Sequence, residues 1–478
     1  MVQVLLILLF ATLHLHDMLG GGAALELPRW LGVVFVGATL GAMWLVFQAL
    51  CVRWGRKLDQ TGNLRVLRSA EHAMLGLRLL AAAVWGFGVF GMGTLSTLRG
   101  WIGDLVAVDE LLTIAPVPLF MAATWWSLYP LDLRLREALL IRSLDDPQGR
   151  PVHPPLTRWQ YVSSGVRHQM MLFLVPLTLM TAWQETCTMH VLPWLAEAAP
   201  NVPEAVGLAV EYAGILTVLV VSPAVMRHVW DTIPIGPGPL QDQVRAMCRR
   251  YGVRVRGPLL WRTHGSVVNG AILGVFWPLR YMLLTDALLE RLTADQVEAV
   301  MAHEVAHVRR RHLIWLAVCI LSSVIVMFWV LQGVLLNLPE SVGNSGAASL
   351  VMALGGLVGA ATVFGLVSRR FEWQADAFAV QHLTRTRAGE GRPVTPEAIA
   401  AMTGALQSVA DLNGIDPDAF TWRHGSVAER QRRLRALLHK PVDRLPIDRQ
   451  VRAIKAAAAV VLVVSIAPII WRALGGGA

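Results

Sequence analysis

Long apolar runs alternate with short polar connectors along most of the chain. About 20 consecutive apolar residues are enough for a helix to cross the hydrocarbon core of a bilayer. Nine runs approach or exceed that length, at residues 2–19, 31–52, 73–98, 105–128, 170–192, 206–226, 313–336, 350–367 and 456–471. The pattern predicts a mainly α-helical, polytopic membrane protein with about nine spans. The first run has no basic segment before it, so we expect a retained span rather than a signal peptide.

A hydrophilic stretch at residues 227–302 interrupts the apolar pattern. Residues 240–251 have the spacing of an amphipathic helix, and residues 267–273 and 281–285 are strand-like. Thr293, followed three residues later by Gln296, is a capping-box start for a further helix. We therefore expect a small β-sheet beside a capped helix. Its outer strand either holds an extended peptide by backbone hydrogen bonds or is only a structural hairpin.

The chain divides into three parts on this pattern. Residues 1–226 form an amino-terminal transmembrane region of six spans. Residues 227–455 form an α+β domain that includes two further spans. Residues 456–478 form a carboxy-terminal transmembrane helix.

Composition supports the membrane assignment. Hydrophobic residues make up 55% of the 478 residues and charged residues only 16%, and the mean hydropathy is +0.51. The formal charge of +9 comes from basic residues in the connectors, without a compact basic domain rich in aromatics, so we exclude nucleic acid as a partner. The four cysteines are scattered and contain no CxxC pair, so no disulfide framework is expected.

The cations are distributed unevenly between the connectors. Residues 53–68 carry five and residues 134–167 carry six, whereas the alternate connectors are nearly free of them. Cytoplasmic loops carry the excess of Lys and Arg, so a cytoplasmic amino terminus is predicted. Residues 303–307 then lie at the cytoplasmic face of what we expect to be a bacterial inner membrane, since arginine far outnumbers lysine.

The predicted helix after Thr293 contains the stretch HEVAH. His303 and His307 are four residues apart, so both imidazoles lie on one helix face and can bind one cation. Glu304 beside them is placed to accept a proton from an attacking water. A chance match on a solvated helix is the alternative. The capped start and the apolar run that follows favour a zinc site with one ion per chain.

A catalytic zinc site needs a third protein ligand. Glu372, beyond the next two apolar runs, is the candidate, and Asp376 lies one turn later on the same face. There Asp376 can accept the outer N–H of a ligand histidine and so fix its tautomer. A solvated acidic patch at the end of a span is the alternative. His312 follows His307 by five residues, a rotation of about 140° on one helix, so we expect it to point elsewhere.

A second polar stretch follows at residues 424–430. His424 can stabilise the oxyanion formed when water attacks a peptide carbonyl, and Arg430 can orient a substrate or a carboxylate of the site. Alternatively, the stretch is a surface loop before a helix, capped by Ser426 with Glu429 three residues on.

These residues together resemble the membrane zinc metallopeptidases that include the CAAX prenyl endopeptidase and the HtpX-type heat-shock protease. The resemblance covers about 240–438 and rests on Asn269-Gly270-Ala271, residues 285–302, HEVAH followed by His312, Glu372 with Asp376, and His424 with Arg430. It implies a zincin-like α+β domain, zinc bound by His303, His307 and Glu372, and Glu304 as the general base. It also implies a substrate-binding strand at Asn269, Gly270 and Ala271, and assistance to the transition state from His424 and Arg430.

Two features depart from the family pattern. In that family the histidine that corresponds to His424 is usually followed by proline, whereas here it is followed by Gly425. Six spans before the catalytic segment are more than the HtpX type has, which makes the arrangement closer to that of the CAAX endopeptidase.

We therefore expect an integral-membrane zinc endopeptidase that cleaves polypeptide or membrane-protein substrates at the cytoplasmic face, in membrane-protein quality control or processing. The alternative is a non-catalytic or signalling membrane scaffold with a zinc module. A transporter is disfavoured because the two halves show no repeat. The oligomeric state does not follow from the sequence.

Overall fold

The computed structural model describes residues 2–18, 25, 28–63, 65–144, 154–337, 339, 346–443 and 445–473. This part of the chain is mainly helical with one small sheet. It forms two units, Met1–Asp231 and Thr232–Ala478. Part of the predicted basic connector at 134–167 falls on residues 145–153, outside the described residues.

The regular secondary structure described in the first unit is all helical. Its helices are α1 (Val2–Met18), α2 (Arg29–Thr61), α3 (Arg65–Met92), α4 (Thr94–Ile102), α5 (Val108–Ile114), α6 (Pro116–Leu144), α7 (Arg158–Gly165), α8 (Met171–Thr186), α9 (Leu192–Ala198) and α10 (Glu204–Val229). Two π-helical turns, Val166–Met170 and Cys187–Val191, flank α8.

Large apolar side chains fill the interior of this unit. Trp85, Leu95 and Met121 are almost completely buried, and the Trp85 indole donates a hydrogen bond to the Thr113 carbonyl (2.6 Å). An indole N–H in an apolar core needs such a partner, because an unpaired donor there costs about 1–3 kcal/mol.

Four described helices are long and apolar enough to cross a membrane: Trp30–Thr61, Arg65–Met92, Ala205–Val229 and His312–Leu335. The bent pair Val108–Ile114 and Pro116–Glu137 makes a fifth if it counts as one span. Most other apolar runs are helical as well, but α1 and α8 are shorter than 18 residues. The predicted number of nine spans therefore stays a prediction, and so does the cytoplasmic orientation.

The second unit combines eight described helices with a four-stranded sheet. The helices are α11 (Pro239–Arg250), α12 (Asp286–Arg291), α13 (Ala294–Arg309), α14 (His312–Leu335), α15 (Gly346–Arg387), α16 (Pro396–Leu412), α17 (Val427–Arg435) and α18 (Pro446–Ala473). The strands are β1 (Thr232–Pro234), β2 (Pro258–Trp261), β3 (Gly270–Leu273) and β4 (Tyr281–Thr285).

The sheet has the order β1-β2-β4-β3, with β2 and β4 parallel and the other two pairs antiparallel. The predicted strand-like pieces correspond to β3 and β4, whereas β1 and β2 were not predicted. β4 lies inside the sheet, and all five of its residues are buried. Within the part of the chain that the structure describes, β3 pairs only with β4, so one edge of β3 has no strand partner there and lies beside α13.

The core of this unit lies between the sheet and helices α13, α15 and α16. Met282 and Leu284 of β4 pack with Val305 of α13 and with Phe378 and Ala379 of α15 in one buried cluster. Because the same helices that build this core also carry the polar motifs, packing fixes the positions of the motif side chains.

Candidate functional site

The capped start of α13 fixes the helix register of the HEVAH stretch. The Thr293 hydroxyl accepts a hydrogen bond from the Gln296 N–H, and the Gln296 side chain accepts one from the Thr293 N–H. The capping box predicted from the sequence is therefore present. Three turns later His303 and His307 lie on one face, with their Nε2 atoms 3.2 Å apart.

Glu372 approaches this histidine pair from α15. Its carboxylate oxygens lie 3.6 Å from His303 Nε2 and 3.7 Å from His307 Nε2, and the three side chains form a group that could hold a metal ion. A tetrahedral zinc ion with bonds of about 2.0–2.1 Å would separate its ligand atoms by about 3.3–3.4 Å. The 3.2 Å between the two histidine nitrogens, and the 3.6 and 3.7 Å from them to Oε2 and Oε1 of Glu372, lie within a few tenths of an ångström of this value, so the donor set fits zinc.

Asp376 and Arg430 support the first histidine. His303 Nδ1 lies 2.9 Å from Asp376 Oδ1, which attracts the ring proton to Nδ1 and leaves the Nε2 lone pair directed at the site. Arg430 in turn donates two hydrogen bonds to Asp376, at 2.8 and 2.6 Å. All three side chains are buried or nearly so, and such a two-pronged guanidinium–carboxylate pair fixes the carboxylate in one orientation.

His312 supports the second histidine, contrary to the expectation that it points elsewhere. Its Nδ1 lies 3.0 Å from His307 Nδ1, and the His312 side chain is buried. The rotation argument fails because α13 ends at Arg309 and Arg311 adopts a left-handed conformation (φ 54°) before α14 begins at His312. The chain changes direction at Arg311, and His312 lies against His307.

The protons in this contact are set by Gln374 and Asp448. The Gln374 amide donates to Asp448 Oδ1 (2.5 Å), so its carbonyl oxygen faces His312 Nε2 at 2.9 Å. His312 Nε2 must then carry the proton, and its Nδ1 can accept the Nδ1–H of His307. A chain of hydrogen bonds from α18 through α15 and α14 thus leaves the His307 Nε2 lone pair free for a ligand.

Glu304 is turned away from the metal-binding face, toward β3. The Ile272 N–H donates to its Oε2 at 3.2 Å, so the carboxylate is held between the helix and the open sheet edge. Gly270 lies close to α13: a Cβ at this position would be 2.7 Å from Val300 Cγ1 and 3.9 Å from Glu304 Cγ. Only a residue without a side chain allows β3 to pack this near to the carboxylate.

The other residues of the predicted substrate strand anchor β3. The Asn269 N–H donates to Thr285 Oγ1 (3.0 Å) and its carbonyl accepts from the Thr285 N–H (3.1 Å). Ala271 pairs with Leu283 of β4. Because neighbouring residues of a strand direct their backbone groups to opposite sides, the N–H of Ile272 is aimed at the site.

His424 lies at the rim of the site, in the loop before α17. Its Nδ1 is 3.1 Å from Glu372 Oε2, and its side chain is 43% exposed. Gly425 has a φ of 76°, a left-handed conformation that proline cannot adopt, which explains the departure from His-Pro. The Thr421 and Gly425 backbones exchange two hydrogen bonds that close the loop. Ser426 caps α17 as predicted, accepting from the Glu429 N–H.

These elements enclose a cavity of about 720 Å³ within the second unit. The β3 backbone lines one side, and the HEVAH side chains with Glu372 line the floor. Met402, Leu406 and Val409 of α16 contribute an apolar wall, and His424 lies at the mouth. A cleft of this kind is large enough for several residues of an extended chain.

Burial and neighbouring charge give the polar residues different proton affinities. Burial lowers the pKa of His303, but Asp376 and Glu372 outweigh it and raise the pKa to about 10. The position therefore favours positive charge, as a cation site should. Burial lowers the pKa of His307 to about 4, which keeps this ring neutral and able to act as a ligand. Burial raises the pKa of Glu304 to about 7, a value suited to accepting and returning a proton.

The structure brings together every residue that was predicted for the site. His303, His307, Glu304, Glu372, Asp376, His424, Arg430 and the strand Asn269–Ala271 all lie in or beside one cavity. Sequence reasoning missed Gln374 and Asp448 and misplaced His312. Gln374 stands between Glu372 and Asp376 in the sequence, but nothing in the spacing indicates its partner 74 residues away.

Of the comparisons with known proteins, a family match agrees with the geometry of the second unit. None of the curated proteins matches the sequence. The crystal structure of S. mikatae Ste24p is similar over 86% of this chain and 100% of that chain, with 14% identity and a TM-score of 0.45. Residues 238–437 match the model described as Peptidase family M48. This match contains every residue that was predicted for the site, and over those residues it confirms the resemblance to this peptidase family.

Proposed function

We propose that this chain is an integral-membrane zinc endopeptidase. One observation carries the proposal: two imidazoles and a carboxylate converge at zinc-like spacing, with a second, buried carboxylate and an open strand edge beside them. His303, His307 and Glu372 would hold the ion. A metal-binding scaffold needs the three ligands alone, whereas Glu304 at the sheet edge has no role in such a scaffold.

The ion would polarise the scissile carbonyl and make water more acidic. Glu304 would accept a proton from the attacking water and pass it to the leaving amine. The Ile272 N–H holds this carboxylate in place, and burial raises the Glu304 pKa to about 7, so a proton can be taken up and released near neutral pH.

The open edge of β3 would bind the substrate as an additional strand. Backbone hydrogen bonds to such an edge do not depend on the side chains of the peptide. The substrate would lie antiparallel or parallel to Asn269–Ala271 and pass directly over Glu304. The apolar wall from α16 would receive a non-polar side chain of the substrate.

His424 and Arg430 would have different tasks. His424 is half-exposed at the mouth, where a ring N–H can reach the oxyanion that develops on the carbonyl. Arg430 is committed to Asp376 by two hydrogen bonds, so its part is to position the carboxylate that orients His303.

The proposed setting is the bacterial inner membrane, with the site facing the cytoplasm. The asymmetric distribution of cations among the connectors supports this orientation. Polypeptide or membrane-protein substrates would then be cleaved at the cytoplasmic face, in quality control or processing of membrane proteins.

The experiment that tests the proposal is Glu304→Gln in the full-length protein. Glutamine keeps the size of the side chain and can accept from the Ile272 N–H, but it cannot take the proton. Zinc content should stay at one per chain, while cleavage of an unfolded, casein-like substrate should fall by about 10²- to 10⁴-fold. Elemental analysis and a quantified cleavage assay give the two readouts. Glu397→Gln, at an exposed position of α16, is the matched control and should behave like the wild type.

Two outcomes would contradict the proposal. Unchanged cleavage by the zinc-loaded Glu304→Gln variant would rule out Glu304 as the general base. A purified wild type that cleaves none of a varied set of substrates would favour the scaffold with a zinc module.

A further inference from the structure

Two loops of the second unit expose large aromatic side chains. The hairpin tip (residues 274–280) joins β3 to β4, and the Phe420 loop (residues 419–423) precedes α17. The exposed side chains are Phe276 and Trp277 of the hairpin tip and Phe420 and Trp422 of the Phe420 loop, at 48–65% exposure. They occur in pairs rather than singly, and grouped apolar side chains at a surface indicate a contact surface.

The hairpin tip is a turn closed by its own hydrogen bonds. The Leu279 N–H donates to the Phe276 carbonyl (3.0 Å). The Arg280 guanidinium donates to the carbonyls of Gly274 (3.3 Å) and Val275. Because these bonds hold the backbone of the turn, the exposure of its two aromatic side chains is a fixed feature of the fold.

The Phe420 loop packs on the last part of the apolar run of α15. Trp422 lies against Phe364 of that helix, with ring centroids 4.9 Å apart. Arg369, just after the apolar run, donates to the Trp422 carbonyl (2.9 Å) and lies 5.2 Å from the centre of the Phe420 ring. Arginine and aromatic rings at the end of an apolar helix are typical of a membrane–water interface.

The start of α14 has the same composition. This helix is one of those described that are long and apolar enough to cross a membrane. Lys455 of α18 donates to the Arg310 carbonyl (2.7 Å), and its amine lies 5.5 Å from the centre of the Trp315 ring. Leu313 and Ile314 are exposed, as expected of side chains that face lipid. The first turn of α14 therefore marks the level of the bilayer surface.

The cavity of the candidate site borders all three places. Its lining includes Gly274 and Val275 of the hairpin tip, Leu313 and Ile314 of α14, and Thr421 and Arg423 of the Phe420 loop. The two aromatic loops thus border the same cavity as the first turn of a membrane helix.

We propose that the hairpin tip and the Phe420 loop lie in the headgroup region of the bilayer. Tryptophan favours this region because its ring has an apolar body and a polar N–H. Continuity with the lipid-facing turn of α14 and with the end of the apolar run of α15 favours the bilayer over a protein partner. The cavity then opens at the membrane surface.

This position has a consequence for the substrate, which rests on the proposed endopeptidase function. A cavity that opens in the headgroup region receives a chain directly where it leaves the bilayer. The substrate class is therefore polypeptide segments next to a membrane anchor, and segments held far from the surface are excluded.

The position of the loops is tested without reference to activity. Trp277→Cys and Phe420→Cys are made in full-length protein in which the four native cysteines are replaced, labelled with the fluorophore NBD, and placed singly in nanodiscs. Phosphatidylcholine with a nitroxide on its headgroup should quench both labels. Ala388→Cys is the matched control. It is exposed, 24 residues after Phe364 and roughly 36 Å further along α15, and it should keep its fluorescence.

A label at position 277 or 420 that the nitroxide does not quench would overturn the proposal, and so would equal quenching at all three positions. Blue-shifted emission without quenching would identify a protein surface as the occupant instead. Melting curves of the labelled variants, compared with that of the wild type, show that each one is folded.

Two anchored peptides test the substrate class. Both carry the same unfolded segment after one transmembrane helix. In the first the segment follows directly, and in the second a rigid helical spacer of about 25 residues holds it roughly 37 Å away. The first should be cleaved, and cleavage of the second should be lost, because its tether prevents the segment from reaching the cavity. Equal cleavage would overturn the substrate class. Cleavage of neither peptide, nor of the casein-like protein, would contradict the endopeptidase function and leave the quenching result to decide the position of the loops.

Discussion

At the scale of single residues, the two histidines of the site are oriented by different partners. Asp376 faces His303, whereas His312 faces His307 and is itself held by Gln374. A charged partner raises the electron density of one ring, and a neutral partner fixes the tautomer of the other. The two metal-binding nitrogens therefore depend on separate supports, which can be removed one at a time.

Replacing His312 tests the second support. His312→Ala leaves the His307 Nδ1–H without an acceptor, so the ring can turn and the tautomer can change. We expect zinc affinity to fall by about 10- to 100-fold, measured by competition with a chelating dye. His72→Ala, at an exposed position of α3, should leave the affinity unchanged. Unaltered zinc affinity in His312→Ala would show that the His307–His312 contact has no part in binding.

Replacing the two acidic residues of α15 distinguishes the proposed zinc ligand, Glu372, from Asp376, which orients His303. Glu372→Ala should empty the site, because two imidazoles alone hold zinc weakly. Asp376→Asn should weaken zinc binding by about 10- to 100-fold and leave the site in place. Asp376→Ala should in addition destabilise the fold by about 3–5 kcal/mol, since the buried Arg430 would lose both hydrogen bonds to Asp376 and keep only the more distant carboxylate of Glu372, 3.5 Å away. Full zinc content in Glu372→Ala would place the third ligand elsewhere.

The sequence was most informative where local spacing decides geometry. The i, i+4 spacing of His303 and His307, and of Glu372 and Asp376, follows from helix geometry alone. His312 was misplaced because one left-handed residue, Arg311, ends the helix on which its rotation was counted. The sequence alone does not indicate that Asp448 supports the site, because its contact with Gln374 depends on the packing of α18 against α15.

At the scale of elements, the loop Thr421–Gly425 determines where His424 lies. The Gly425 N–H donates to the Thr421 carbonyl (2.8 Å), and its φ of 76° turns the chain toward α17. Gly425→Pro would restore the usual His-Pro sequence but remove this N–H and impose a negative φ. We expect zinc content to persist and kcat/KM to fall, by about 10²-fold for a shift of about 1 Å.

Gly425→Asn is the matched variant for this loop. Asparagine tolerates the left-handed region and keeps the N–H, so most of the activity should remain. Both variants are compared with the wild type by cleavage rate and zinc content. Full activity in Gly425→Pro would show that His424 does not need the loop geometry seen here.

The edge strand β3 gives a second prediction at this scale. In Gly270→Ala the new Cβ would be 2.7 Å from Val300 Cγ1, so β3 or α13 must move. Overpacking of this kind costs about 1–3 kcal/mol and should weaken the Ile272 N–H contact with Glu304. Activity should fall with zinc retained. Gly236→Ala is the control: a Cβ at this position would have no atom within 4 Å, so activity should stay at the wild-type level. Equal activity in the two variants would argue against a tight fit between β3 and α13.

The two strands that escaped prediction are short. β1 has three residues and ends in Pro234, and β2 has four and begins at Pro258. Neither is long enough to show alternation, and both are strands because they pair with neighbours distant in sequence. In contrast, α15 continues from an apolar run directly into the Glu372 motif, so that one long helix carries both.

At the scale of the whole molecule, hydrophobicity predicted the helical membrane character, whereas the number of spans that it predicts stays a prediction. Apolar runs indicate helices well, yet α5 and α6 are bent at their junction and α8 is flanked by π-helical turns. A hydropathy pattern does not record such breaks. The three-part division at residues 226 and 455 and the figure of nine spans stay predictions.

The orientation in the membrane is the last prediction, and it rests on charge. With nine spans and a cytoplasmic amino terminus, every basic connector lies on the cytoplasmic side. Single cysteines at positions 56, 142 and 432, the last at an exposed position near Arg430, in a background in which Cys51, Cys187, Cys248 and Cys319 are replaced, should be shielded from a membrane-impermeant maleimide in intact cells. All three should react after the membrane is opened. A cysteine placed at position 201, in a connector without cations, is the matched control and should react in intact cells. Labelling of position 142 from outside would show that the amino-terminal spans have the opposite orientation. This position decides the matter because its connector has six arginines, the strongest indication of the cytoplasmic side.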